Sequence, residues 1–216
     1  MPKKNIARII FIFLTVLLII SLILLIKGEK KDRTKNIYRK ICESTNYTFS
    51  LEEGIGSNNK LIIARSGNNK GIDLTSEGNH TTTFVKDGFV YSVLHNQKEY
   101  SVFENEENQQ IEFNILEEDS DYIMCSPYIN GKEKIYGKTY YYEEYKEMDS
   151  FYMRGLPLEE DSSPNTRFYY NGEKLEYIKT IIHCDDSEEI SELLKVDFTP
   201  ESDERIFEIP NDYAEL

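Results

Sequence analysis

The chain has 216 residues and a formal net charge of −14, from 39 acidic and 25 basic side chains. At this length one domain with short appendages is the default. Through Lys40 there are ten basic and two acidic residues, a net of +8 that leaves −22 for the remainder. An acidic domain with no basic stripe repels phosphate backbones, which excludes nucleic acid as a partner.

From Ile9 to Ile26 the sequence reads "IIFIFLTVLLIISLILLI", broken only by Thr15 and Ser21 and bracketed by Arg8 and Lys27. At about 1.5 Å per residue this run spans about 27 Å, enough for a hydrocarbon core. A cleaved signal peptide needs a shorter apolar region and a small-residue cleavage site. The following "IKGEKKDR" supplies no such site, and Cys42 lies too far downstream to carry a lipid. Residues 9–26 therefore read as an uncleaved transmembrane anchor behind a cytoplasmic tail, 1–8. Lys27, Lys30, Lys31, Arg33 and Lys35 after the run pull toward a cytoplasmic domain. Long domains, however, translocate largely regardless of flanking charge, and so short a tail stays behind, so the domain is expected outside the cytoplasm.

Residues 27–36, "KGEKKDRTKN", read as a charged juxtamembrane spacer, either solvated or lying on anionic headgroups. The domain itself is expected over 37–216. "NIYRKICES" predicts a short helix with Ile37, Tyr38 and Ile41 on one side. From Tyr47 the period becomes two: Tyr47, Phe49 and Leu51 alternate with Thr48, Ser50 and Glu52. "KLIIARS" and "GIDLTS" follow, separated by the turn-forming "GNNK". "TTTFVKDGFVYSVL" sets Asp87-Gly88 between two β-rich runs, which predicts a two-residue hairpin. Its register opposes Phe84 to Tyr91 and Thr82 to Val93 on one face, and Val85 to Val90 and Thr83 to Ser92 on the other. "HNQK" turns the chain into "EYSVFE".

"QQIEFNILEED" predicts a helical turn or two with Ile111, Phe113 and Leu116 inward, dividing a first group of strands from a second. "EKIYGKTYYYEEYKE" opens the second group. Strand periodicity sends Tyr140 and Tyr142 to one face and Tyr141 and Tyr145 to the other, so these tyrosines are first of all sheet residues. "MRGLPLEEDSSPNT" reads as a polar loop. "RFYYNGEKLEYIKTII" predicts a hairpin with Asn171-Gly172 at its tip, Phe168 opposite Leu175, Tyr170 opposite Glu173 and Arg167 opposite Glu176. "ELLKVDFT" is a further strand. About ten to eleven strands with short turns and few helices make an antiparallel, mostly-β domain behind one N-terminal transmembrane helix.

Chemistry-bearing motifs are sparse. His80 and His95 fall at expected turns. "IIHCDD", from Ile181 to Asp186, gathers ligand types, but a structural zinc site wants a second such pair and none exists. There is no Gly-x-Ser-x-Gly elbow and no phosphate-cradling glycine loop. Glu143-Glu144 and Asp185-Asp186 read as solvated surface. Cys42, Cys125 and Cys184 are odd in number and widely spaced, and read as free buried thiols rather than a framework. The expectation is no enzyme, no cofactor and no metal.

The order "TTTFVKDGFVYSVLHNQKEYSVF", "IYGKTYYYEEY", "RFYYNGEKLEYIK", "LLKVDFT" and "IFEIPNDYAEL" resembles the lipoprotein-carrier (LolA-like) superfamily, in particular its membrane-attached Gram-positive relatives. The resemblance runs from about Tyr47 to Leu216, and its most specific piece is Phe207-x-Ile209-Pro210-x-x-Tyr213. It implies a strongly curved, unclosed antiparallel β-barrel with helices plugging its concave side around a cavity for acyl chains. The retained anchor and the missing lipobox cysteine depart from that pattern and count against shuttling. Two functions follow. One is an anchored extracytoplasmic protein-interaction or sensory domain of the cell envelope, with an envelope protein as partner. The other is a lipid- or lipopeptide-binding module, taking a lipid acyl chain or a lipoprotein, with Phe84, Tyr91, Val93, Phe168, Tyr170, Leu175 and Tyr177 lining or bordering an apolar cavity.

Overall fold

The computed structural model describes residues 32–54, 57–105, 113, 115–148, 163–184 and 187–216. The apolar run 9–26, Ile111 and Asp185-Asp186 lie outside the described residues, and no helix within them is long and apolar enough to cross a membrane.

The period-two segments form strands. Helix α1 (Arg33–Glu43) leads into a meander of β1 (Asn46–Glu53), β2 (Lys60–Ser66), β3 (Asn69–Ser76), β4 (Asn79–Lys86), β5 (Phe89–Leu94) and β6 (Glu99–Glu104). Helix α2 (Ile115–Cys125) separates it from a second meander, β7 (Ile129–Ile135), β8 (Lys138–Lys146), β9 (Ser163–Asn171), β10 (Lys174–Cys184) and β11 (Ser187–Thr199). Antiparallel pairing of β1 with β11 joins the two meanders into one sheet. A 3-10 turn, Glu204–Phe207, and a short β12, Ala214–Glu215, finish the chain, with β12 parallel to β6. The result is a mostly-β fold: one twelve-stranded sheet running from β12 to β7, unclosed among the described residues.

Alternation along the strands gives the sheet two differently covered faces. On one face Tyr47, Phe49, Leu51, Ile63, Phe168 and Val196 join the main core. Both helices close over it. Thr34, Tyr38 and Ile41 of α1 are buried, three and four residues apart, as one helical stripe requires. Tyr38 meets Phe168 edge to face at 6.0 Å. Helix α2 adds Leu116 and Ile123, both fully buried, and Lys35 Nζ donates to the Met124 carbonyl at its C-terminal end. On the opposite face the C-terminal segment covers the first meander with Ile206 and Phe207, while Tyr140 and Tyr169 pack against Ile135 over the second.

The expected pairing of the first hairpin is observed pair by pair: Phe84 with Tyr91, Thr82 with Val93, Val85 with Val90 and Thr83 with Ser92. Asp87 and Gly88 both have positive φ, as the turn demands. The second hairpin corrects its expectation. Asn171 pairs with Lys174, so the tip is Gly172-Glu173, and a bulge between Leu175 and Tyr177 takes Glu176 out of register. Tyr170 then faces Leu175 and Phe168 faces Ile178. The expected register set Tyr170 against Glu173; the observed pairing is shifted by two residues up to Leu175 and by three beyond it, the bulge supplying the third and keeping Leu175 and Ile178 on one apolar face. Arg167 consequently lies opposite Lys179, and its ion pairs go to Glu133 and Glu144 instead of Glu176.

Other boundaries also move. Helix α1 begins at Arg33, inside the expected spacer. Helix α2 runs on to Cys125, because "ILEEDSDYIMC" carries Leu116 and Ile123 at helical spacing. Ser163–Thr166, expected in a loop, extends β9; Pro164 is tolerated because strand pairing here is at the end of the ladder. Cys42 and Cys125 are free thiols, but exposed rather than buried.

Candidate functional site

The residues expected to line an apolar cavity do not converge. Phe84, Val93 and Tyr91 belong to the cluster beneath Ile206 and Phe207. There the Phe84 and Tyr91 rings stack at 4.7 Å, and Phe84 meets Phe207 edge to face at 6.1 Å. Phe168, Tyr170 and Leu175 lie in the main core on the other face, below α1. Tyr177 sits apart with Tyr140. Phe84, Val93, Phe168, Tyr170 and Leu175 are at most 3% exposed. Side chains lining a ligand-sized void would keep accessible surface; these are packed against protein atoms. A groove of about 400 Å³ does lie on the sheet, but Glu52, Lys60, Lys174, Glu176, Lys195 and Asp197 are among its lining residues. Its charges pair across it, Lys195 and Lys60 with Glu52, and Lys174 with Asp197.

The glutamates expected at the surface are buried. Glu143 is 2% and Glu144 6% exposed. Glu143 Oε2 accepts from the Thr34 N–H at 2.9 Å and the Thr34 hydroxyl at 2.7 Å, satisfying the first turn of α1. Glu144 accepts from Asn165 at 3.0 Å and from Arg167 Nε at 2.6 Å. Glu133 accepts from Arg167 at 3.0 Å, Lys179 at 2.7 Å and the Tyr169 hydroxyl at 2.6 Å. Burial alone would raise the Glu133 pKa, but the bonds from Lys179 and Tyr169 and the nearby Arg167 charge outweigh it and hold it below the ordinary range. Among the described residues two carboxylates, Glu133 and Glu144, face two cations, Arg167 and Lys179, and their bonds tie β7 to β10 side by side.

A different constellation forms around the histidines. On β4, His80 and Thr82 share one face; Asp73 of β3 lies opposite Thr82. The β4–β5 register continues past Leu94, where the His95 N–H donates to the His80 carbonyl at 3.1 Å. The two imidazoles stack at 3.8 Å. Asp73 Oδ2 accepts from His80 Nε2 at 2.8 Å and from the Thr82 hydroxyl at 2.6 Å. With its proton so directed, Thr82 Oγ1 accepts from His95 Nε2 at 2.7 Å, and His95 Nδ1 then accepts from the Tyr213 hydroxyl at 2.9 Å. Burial first, then the neighbouring His80, pushes the His95 pKa below its ordinary range against the pull of Asp73. Thr82 is 4% exposed and its hydroxyl is committed to Asp73, so it is poorly placed to attack a substrate.

In the sequence these histidines read as belonging to separate turns. The signal was nevertheless present: the hairpin register opposing Thr82 to Val93, extended by two residues, brings His80 opposite His95. Asp73 and Tyr213 carried no such signal, since they enter through β3 and the C-terminal segment.

No family model matches the chain, and no curated protein matches it. Among solved structures, the chain has a distant similarity to an uncharacterized conserved protein from Thermus thermophilus, at a TM-score of 0.41 and 7% identity, over 85% of this chain and 97% of that one.

Proposed function

We propose that the chain is a membrane-anchored, extracytoplasmic protein-interaction or sensory domain of the cell envelope. The observation that carries this reading is the burial of the expected cavity residues in separate packed clusters, which leaves recognition to the surface. A surface of suitable chemistry lies at the β7 edge of the sheet. There Ile129, Tyr136 and Tyr141 are 49%, 61% and 48% exposed, and Lys132 rests over the Tyr141 ring at 4.6 Å. Tyrosine is enriched at interfaces because it offers apolar area with a polar tip. The apolar run 9–26 supports the anchor.

The alternative is a lipid- or lipopeptide-binding module. Its support is the resemblance to the lipoprotein-carrier superfamily, together with the unclosed sheet and the two helices that cover one face. Native mass spectrometry of the full-length protein released from membranes in mild detergent separates the two. The mass of the polypeptide alone is expected. A stoichiometric co-purified lipid would overturn the interaction reading. In the same cells, stripped of any wall, added protease should digest the domain; protection would place it in the cytoplasm.

A further inference from the structure

We propose that Asp73, His80 and His95 bind one divalent transition-metal ion of the zinc class. One donor atom from each of these residues lies within 4.8 Å of the other two. Metal–ligand bonds of about 2.0–2.2 Å set adjacent donors of a tetrahedral ion about 3.4 Å apart. His80 Nε2 and Asp73 Oδ2 stand 2.8 Å apart, closer than that spacing, and all three donors lie within 4.8 Å of one another. Imidazole lone pairs lie in the ring plane, so to admit the ion the His80 and His95 rings, stacked at 3.8 Å without it, must turn out of parallel. Two imidazoles and one carboxylate suit zinc, cobalt or nickel, whereas calcium and magnesium want an all-oxygen shell.

The surroundings match what a metal ligand set requires. Asp73 and His80 stand on neighbouring strands, and backbone pairing fixes His95 beside His80. Binding at His95 Nε2 moves its proton to Nδ1, where Tyr213 Oη at 2.9 Å becomes the acceptor. The Tyr213 hydroxyl can then turn its proton to the His95 carbonyl, 3.5 Å away. A ligating histidine that donates its second N–H to an oriented partner is the usual outer shell of a metal site. The Thr82 hydroxyl, between Asp73 and His95, holds the carboxylate in place. The His80 side chain is 39% exposed, giving the ion a route from solvent and leaving a coordination position for water or an exogenous ligand. Such a site ties the C-terminal segment, through Tyr213, to the metal. It is independent of the interaction reading, since none of its residues lies at the β7 edge.

The test uses full-length protein in detergent, stripped with a chelator and titrated with Co2+. One equivalent should give visible ligand-field absorption that Zn2+ abolishes by displacement. His95→Ala and Asp73→Asn should each lose that absorption. Asp73→Asn keeps the shape of the side chain, and a cooperative melt of each metal-free variant establishes that it is folded. Zn2+ should raise the melting temperature of the parent and leave that of Asp73→Asn unchanged. His183→Ala should bind as the parent does. Absence of Co2+ absorption in the parent, full binding by folded Asp73→Asn, or loss of binding in His183→Ala would each overturn the proposal.

Discussion

At the scale of single residues, the informative departures are polar. Glu143 and Glu144 read as surface because acidic pairs on an acidic protein usually are solvated. They are buried because donors distant in sequence converge on them: Thr34, 109 residues before Glu143, and Arg167, 23 residues after Glu144. No local pattern encodes such a partner. The tyrosines behaved oppositely, since period two alone assigned Tyr140 and Tyr145 to opposite faces, and both are buried there, at 4% and 0% exposure. Gly172 illustrates a residue whose type was legible while its place in the turn was not. Asn171 pairs with Lys174, so Gly172 is the first central residue of the turn; its φ of +65° is positive while that of Glu173, the second, is not, as in type II′. Gly172→Val should cost about 1–2 kcal/mol, because a side chain at positive φ crowds the following carbonyl. Chemical denaturation checks this; an unchanged midpoint would count against the turn.

At the scale of elements, hairpins with two-residue turns were readable where both strands alternate cleanly, as in β4–β5. The β9–β10 hairpin was readable as a hairpin but not in register. Its bulge exists to align Phe168 and Tyr170 with Ile178 and Leu175, a demand of the core beneath α1. The C-terminal segment was the least legible element. It forms no long strand, and its hold on the sheet depends on Gly71. A Cβ at Gly71 would stand 2.6 Å from Ile206 Cγ2 and 3.1 Å from Phe207 Cε1. Gly71→Ala should therefore push the 3-10 turn off the sheet, costing about 1–3 kcal/mol through overpacking. Carboxypeptidase digestion reads the effect directly: the variant should lose its C-terminal residues faster than the parent. Equal rates would mean that Gly71 does not fix the segment.

At the scale of the whole molecule, two meanders sewn together through β1 and β11 were only half visible in the sequence. The break at α2 separates them in the chain, but the closure of β1 onto β11 joins residues about 150 positions apart, beyond any local period. That joined sheet is what brings the ionic network of β7 to β10 into one place, and it gives a pH dependence. Glu133 has a folded pKa below its ordinary value of 4.5, so the stability it contributes is complete above that value. It is lost as pH falls through the folded pKa. The stability difference between the parent and Glu133→Gln should hold steady above about pH 5 and shrink below 4.5. A difference that grows on acidification would contradict the assignment.

Phe84 decides whether the interior is filled. Its ring is 1% exposed between Tyr91 and Phe207. Phe84→Glu places a carboxylate without a partner among apolar groups, a cost of several kcal/mol against a total stability of about 5–15 kcal/mol. Thermal unfolding of the full-length variant in detergent, followed by circular dichroism, is the measurement. A packed core predicts that the cooperative transition is lost or lowered by many degrees. A variant that melts like the parent and has merely released a bound lipid would show that Phe84 faces a ligand cavity instead.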